Sequence, residues 1–260
     1  MSGTADEVPT EGLLRAAEGL TAKVQDPNDL DWLGRWMAMR FWITGLANDL
    51  TDAVSLLARA KTAEPEDGAK ELRHALWLID AGFEKLGGVL THALGVPALE
   101  KLGPGVAFRP GGAAARKRLT RRLRDLQHQC PEAGTLHAIA KGIGSLPSTI
   151  YRNNLAHALD DLTQNPNLCP VIEQRVDAAG KVLRTERTYL VPHRPGYEGP
   201  WNPESFYKDA ISAADAGIEK LREAVDASAI LIRDAGGCHP PERVWVTEDG
   251  HYHLTRPETK

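Results

Sequence analysis

The segment LRHALWLIDAGFEKLGGVLTHALG, residues 72–95, is the clearest structural signal in the sequence. Its large apolar residues recur at steps of three and four, at Leu72, Leu76, Ile79, Phe83, Leu86, Leu90 and Leu94. This spacing places them on one face of an α-helix. Gly95 stands where a helix commonly ends, and Pro97 lies just beyond it. The segment therefore predicts a long amphipathic helix with one face in a core.

Further apolar stripes predict more helices on both sides of this segment. The longest covers about residues 30–58, through Trp32, Trp36, Met39, Ile43, Leu46, Leu50, Val54 and Leu57. Shorter stripes predict helices over 119–126 and 136–143, and a last long helix is expected over 203–235. Asn202 is placed to cap that helix and Pro203 to occupy its first position. The expected fold class is mainly α, an antiparallel helical bundle.

The pattern changes in the C-terminal third, where two β-hairpins are expected. One covers about residues 171–191 around a turn that contains Gly180, and the other covers 243–255 around Gly250. We therefore expect three parts. Residues 1–28 form a polar or helical extension, 29–235 a helical bundle with a hairpin insertion at about 171–191, and 236–260 a C-terminal hairpin or tail.

Composition limits the classes of function. The net charge of −4 argues against a broad surface for nucleic acid, so RNA contact requires a local basic patch. Three cysteines without a CxxC pair fit neither a disulfide framework nor a zinc ribbon. The sequence begins without a signal-peptide core, and no apolar run approaches the length of a membrane span. A cytoplasmic protein that does not enter membranes is expected.

The string YRNNLAH, residues 151–157, contains the residues best suited to chemistry. Arg152, Asn153 and His157 combine a permanent cation, an amide and an imidazole that can exchange a proton near neutral pH. On a helix, Tyr151, Leu155 and Leu159 are expected to face the core, and Arg152 and His157 to lie off that face. Arg152 and His157 diverge by about 140°. One copy of the string therefore does not form a compact acid–base pair.

The string resembles the motif of the HEPN superfamily, helical-bundle proteins of which many are ribonucleases that carry Arg-(polar)-x-x-x-His. Arg152, Asn153 and His157 match that motif position by position. The run from Leu76 through Phe83 to Gly95 is similar to the long helix that precedes the motif helix in larger members. Together the two similarities cover roughly residues 70–165.

The resemblance implies a metal-independent endoribonuclease without a cofactor, assembled as a homodimer whose two motif helices meet. In that mechanism the ribose 2′-hydroxyl attacks the adjacent phosphate. His157 transfers protons, Arg152 holds the phosphate, and Asn153 orients His157 or the phosphate. A role as a toxin or defence effector, with an antitoxin or another defence-system protein as partner, is also implied. Two alternatives stay open. One is a catalytically silent HEPN-like module that binds RNA, a nucleotide or a protein, and the other is a polar helix face without function.

Three other features of the sequence are candidate sites. The basic stretch 116–124 offers Arg116, Arg118, Arg121 and Arg122 for RNA phosphates, although a solvated helix face explains it equally well. Metal ligation by Cys238, His239, His251 and His253 is disfavoured because no standard zinc spacing is met, so no metal is expected. The tryptophans at 32, 36 and 42 are expected in the core rather than on a base-stacking platform.

Overall fold

The computed structural model describes residues 10–21, 30–96, 113–158, 169–177, 181–190, 203–235, 245–246 and 252–253. Helices make up most of this part of the chain. The expected mainly α fold class is confirmed. The helices are α1 (Glu11–Thr21), α2 (Leu30–Thr62), α3 (Pro65–Ala93), α4 (Ala113–Leu126), α5 (Pro131–Gly142), α6 (Pro147–Ala158) and α7 (Pro203–Ala235), with a 3-10 turn at Ile143–Ser145.

Helices α2 and α3 form a long antiparallel pair. Near one end of the contact the ring of Trp42 lies against Gly88, and farther along Lys85 forms a partly buried ion pair with Asp49. The predicted stripe of α3 is confirmed, since all seven of its apolar residues are buried. Gly95 has φ 62°, a left-handed conformation that glycine adopts at low cost, and so it ends the helix as predicted.

The stripe of α2 agrees with the prediction except at its edges. Met39, Ile43, Leu46, Leu50 and Leu57 are buried, but Val54 is 38% exposed and Ala53 is buried in its place. Over 33 residues a stripe of constant spacing drifts around a helix, so the buried face moves by one position. Trp36 and Trp42 are half-buried and pack against the core, while the side chain of Trp32 lies outside the described residues.

Helix α7 occupies the middle of the bundle, where it contacts α1, α2, α3, α5 and α6. The Tyr207 hydroxyl donates a hydrogen bond of 2.7 Å to the carbonyl oxygen of Ala60, which ties the start of α7 to the end of α2. From the segment 1–28, helix α1 packs on α7 and buries Leu13, Ala17 and Leu20. The predicted division of the chain near residues 28 and 235 stays a prediction.

Two ribbons of paired backbone lie in the C-terminal third. Strand β1 (Cys169–Val176) pairs antiparallel with β2 (Val182–Leu190), with Cys169 opposite Leu190, and β3 (Trp245–Val246) pairs with β4 (Tyr252–His253). The predicted β-hairpins at 171–191 and 243–255 stay a prediction, because the residues that connect the paired strands, and the strand side chains, lie outside the described part of the chain. None of the described helices has a stretch long and apolar enough to cross a membrane.

Candidate functional site

The Arg-Asn-x-x-x-His string lies on α6, which begins at Pro147. Proline suits the first position of a helix because its fixed φ is helical and its missing N–H would have no partner there. Helix α6 packs between α3 and α7. Residues 159–168, which follow α6, lie outside the described residues.

Two small polar residues form the inner face of α6. Ser148 and Thr149 are fully buried, and Ser148 lies against Gly217 of α7. A Cβ atom on Gly217 would stand 2.7 Å from the Cβ of Ser148, closer than two such atoms can approach. Glycine at 217 therefore lets α6 approach α7 closely, and α6 reaches the neighbouring helix α3 through Thr149 and Arg152.

A buried carboxylate on α3 holds Arg152 of the motif. The Arg152 Nη1 atom lies 2.8 Å from Asp80 Oδ2, and the Thr149 hydroxyl donates a hydrogen bond of 3.0 Å to Asp80 Oδ1. The Asp80 side chain is only 7% exposed and the Arg152 side chain is 22% exposed. The guanidinium is therefore fixed between α3 and α6, and a minor part of it reaches solvent.

Burial dominates the electrostatics of this ion pair. It raises the pKa of Asp80, whereas the Arg152 charge and the Thr149 hydrogen bond lower that pKa and the nearby Glu84 raises it. Although Arg152 Nη1 lies within ion-pair distance, no N–H among the described residues points at Asp80 Oδ2 well enough to form a hydrogen bond. Arg152 therefore stabilises this oxygen through its charge, and the charge of Asp80 depends on Arg152.

The expectation that Arg152 lies off the core-facing side of the motif helix is wrong. Ser148, Thr149 and Arg152 face α3 and α7, and Tyr151, equally half-buried, packs against the core as expected. The physical reason is that a polar partner, Asp80, lies inside the bundle, so a polar face of α6 can turn inward. The side chains at 155 and 159 lie outside the described residues.

Sequence reasoning missed Asp80 and Thr149 as site residues. A signal was present, because Asp80 is the one charged residue in the run Leu76–Phe83, LWLIDAGF, which is otherwise apolar. A charged residue inside an apolar helix is rarely buried unless it is paired. Such a residue predicts a cationic partner on a neighbouring helix, and Arg152 is that partner.

The backbone of α6 includes positions 153 and 157, although the side chains of Asn153 and His157 lie outside the described residues. Positions 150, 153 and 157 share one helical face by their spacing of three and seven. Ile150 on that face is 36% exposed. The motif is thus split, with Arg152 directed inward toward Asp80 and position 157 on the face of Ile150, as their predicted divergence requires.

The basic stretch lies on α4, and its apolar side is as predicted. Leu119, Leu123 and Leu126 are buried, and α4 packs on α5. On the other side, Lys117, Arg118, Arg121 and Arg124 are exposed, while Arg116 and Arg122 are half-buried. This arrangement gives a cationic helix face, and its contact with RNA stays a prediction.

Metal ligation is tested only within the described residues. Among them, no group of three or more His, Cys, Asp and Glu side chains is arranged to hold a metal ion. The side chains of Cys238, His239, His251 and His253 lie outside this part of the chain.

Comparison with known proteins gives no relative. No family model matches the chain, and neither a curated protein nor a solved structure matches it. The resemblance to HEPN proteins stays an expectation from the sequence, based on the motif residues and on the run from Leu76 to Gly95.

Proposed function

We propose that the protein is a metal-independent endoribonuclease of the HEPN type, with Arg152, Asn153 and His157 at its catalytic site. The observation that best supports the proposal is the fixed position of Arg152, which the buried Asp80 holds at 2.8 Å. Transition-state charge is stabilised most effectively by groups that are already oriented before the reaction. An arginine whose position is set before the reaction is suited to stabilise a phosphate whose negative charge increases during attack.

The proposed reaction breaks one phosphodiester bond without water or metal. His157 accepts the proton of the ribose 2′-hydroxyl while that oxygen attacks the adjacent phosphorus. The 5′-oxygen of the next nucleotide leaves and takes up the proton that the protonated His157 returns, so the products are a 2′,3′-cyclic phosphate and a 5′-hydroxyl. Arg152 offsets the charge on the phosphate oxygens, and Asn153 orients His157 or the phosphate. Asp80 acts through Arg152 as a positioning residue.

The divergence of Arg152 and position 157 on α6 supports a site built by two chains. In a twofold homodimer, the same patch of both protomers meets. The site is complete in such a dimer only where position 157 of one protomer meets the solvent-exposed part of Arg152 of the other. The finer features of the proposal are a HEPN-like fold with hairpins at 171–191 and 236–260, RNA contact through Arg116, Arg118, Arg121 and Arg122, and a toxin or defence role with an antitoxin partner.

The proposal is tested by incubation of total RNA with the protein in excess EDTA. Wild type should cleave, and His157→Ala should lose about 10²- to 10⁴-fold of the rate, the usual contribution of a positioned proton-transfer group. His74→Ala is the matched control because His74 is exposed on α3. Absence of cleavage by wild type, or equal cleavage by His157→Ala, would contradict the proposal.

A mixing experiment tests the two-chain site. The Asp80→Asn/Arg152→Gln double variant removes the motif arginine without leaving a buried charge, and His157→Ala removes the imidazole. Each should be inactive alone. After co-refolding, mixed dimers should regain part of the activity if one site takes Arg152 from one protomer and His157 from the other. No recovery in a verified mixed dimer would argue for a site within one chain.

One observation favours the alternative of a catalytically silent binding module. Arg152 is mostly covered and neutralises the buried Asp80, which is a structural role that requires no chemistry. Under this alternative the wild-type protein binds RNA or another ligand and leaves total RNA intact. The same incubation in EDTA therefore separates the two functions.

A further inference from the structure

Helix α2 exposes apolar side chains on its N-terminal half. Met37 is 59% exposed and Phe41, one turn later, is 72% exposed. Arg40 is exposed between them, and Trp36 is half-buried beside them. These four residues, Trp36, Met37, Arg40 and Phe41, are called the α2 strip below. Exposed aromatic and cationic side chains side by side are a feature of binding surfaces rather than of an ordinary solvated helix face.

Neighbouring side chains hold the rings of the α2 strip in place. The ring of Trp42 lies against Gly88 of α3, where a Cβ atom would come within 3.0 Å of Trp42 Cδ2. Phe41 packs edge-on to Trp42, with ring centroids 5.9 Å apart and an interplanar angle of 75°. The Arg40 guanidinium carbon lies 5.4 Å from the centroid of Trp36, a cation–π contact. The exposed ring of Phe41 is therefore oriented by a neighbour that is itself anchored.

Charge distinguishes among the partners that such a surface could bind. Residues 34–48 include Arg35 and Arg40 and no Asp or Glu, although the whole chain has a net charge of −4. The next acidic residue, Asp49, forms an ion pair with Lys85. A second copy docked on the same strip would add two more arginines and no acidic side chain from residues 34–48 to pair with them. An anionic partner with flat rings satisfies both the cations and the aromatic side chains.

We propose that the α2 strip binds unpaired bases of RNA by stacking on Phe41, with Arg40 beside the phosphates. Proteins that bind single strands combine stacking rings with a cationic path for the backbone, and bases held in a duplex are not free to stack in this way. This inference rests on the proposed ribonuclease function and deepens it by naming single-stranded RNA as the substrate class. Phe41 was not among the residues expected from sequence, where the tryptophans were assigned to the core.

The inference is tested by binding to the full chain with His157→Ala, so that the RNA stays intact. The probes are a fluorescein-labelled single-stranded 12-mer and the same 12-mer in a duplex, both measured by anisotropy. Phe41→Ala should weaken single-strand binding roughly 5- to 150-fold, the range found for one stacked base. Arg40→Gln should lower the salt dependence by about 0.7 in the logarithmic slope. The control is Val54→Ala, a partly exposed apolar residue on the same helix.

Two results would overturn the inference. One is equal affinity of Phe41→Ala and its parent for the single strand. The other is a shift from dimer to monomer in Phe41→Ala with RNA affinity per protomer unchanged, which would assign the α2 strip to contact between copies. Both are distinguishable from failure of the proposed function, because cleavage by the wild-type chain with Phe41 intact is measured separately. If the wild-type chain cleaves RNA and Phe41→Ala has no effect on binding, the inference is wrong and the proposed ribonuclease function stands.

Discussion

Replacing Arg152 by alanine should destabilise the folded protein, because it leaves the carboxylate of Asp80 buried without its cation. Asp80 is 7% exposed and Arg152 is 22% exposed, so the pair is largely removed from water. Removing one partner of a buried pair costs about 3–5 kcal/mol. Because Arg152 keeps some contact with solvent, we expect a loss near the lower limit, about 3 kcal/mol. For a domain of this size that loss lowers Tm by roughly 6–12 °C.

A second substitution separates the buried charge from lost packing. In Asp80→Asn/Arg152→Ala the charge is gone, and the amide oxygen of asparagine can still accept the hydrogen bond from Thr149. The double variant should therefore regain most of the stability lost by Arg152→Ala. The two single variants and the double variant form a thermodynamic cycle, measured by thermal or denaturant unfolding. A Tm of Arg152→Ala within about 1 °C of wild type, or no recovery in the double variant, would show that the unpaired charge of Asp80 is not the cause of the loss.

The dependence of this effect on pH has a definite sign. Burial raises the pKa of Asp80 in the folded protein above its ordinary value of 3.8, and loss of the Arg152 charge should raise that pKa further. A carboxyl group with a raised folded-state pKa stabilises the protein below its unfolded pKa, and this contribution is lost as pH rises through the folded pKa. The stability deficit of Arg152→Ala should therefore shrink as pH falls from neutral. The Asp80→Asn/Arg152→Ala variant should lack that pH dependence.

Further predictions concern packing, charge, protonation and assembly. Gly217→Ala should cost roughly 1–3 kcal/mol through overpacking against Ser148, and an unchanged Tm would contradict the close α6–α7 contact. Replacing Arg118, Arg121 and Arg122 by glutamine should weaken RNA binding and flatten its salt dependence with little change in Tm, whereas unchanged affinity would assign them to a solvated face. Burial, together with the charge of Arg35, lowers the pKa of His92 from 6.5 to about 4. As pH falls, His92 is protonated in the unfolded state before it is protonated in the folded state. The free energy of unfolding therefore falls as pH drops from 6.5 toward 4, and His92→Gln should reduce the accompanying loss of Tm. Light scattering should report a dimer, and a strict monomer would argue against a site built by two chains.

The helical part of the fold could be predicted because its cause is local. The stripe from Leu72 to Leu94 and the glycine that ends it are properties of consecutive residues, and the structure has both. The displacement of Val54 by Ala53 at the core shows the limit of this approach. Which residue of a long helix faces inward depends on how its partner helix crosses, and that information is not local.

The arrangement around the motif could be predicted only in part. The divergence of Arg152 and position 157 follows from helical spacing alone. The inward direction of Arg152 does not, because it depends on Asp80, which lies 72 positions earlier in the chain. Pairing of a buried acid with a distant base is a choice of tertiary structure. The sequence shows the acid, an isolated aspartate in an apolar run, but not the base that pairs with it.

The proposed mechanism has the 2′-hydroxyl of RNA as nucleophile and His157 as the group that moves its proton. It is tested most directly with one RNA oligonucleotide that wild type cleaves in EDTA, beside the same oligonucleotide with a single 2′-deoxy nucleotide at the cleaved position. We expect wild type to leave cyclic-phosphate ends on the first RNA and not to cleave the second at that position. His157→Ala should cleave neither RNA there. Cleavage of the 2′-deoxy bond, or a dependence on added metal ions, would contradict it.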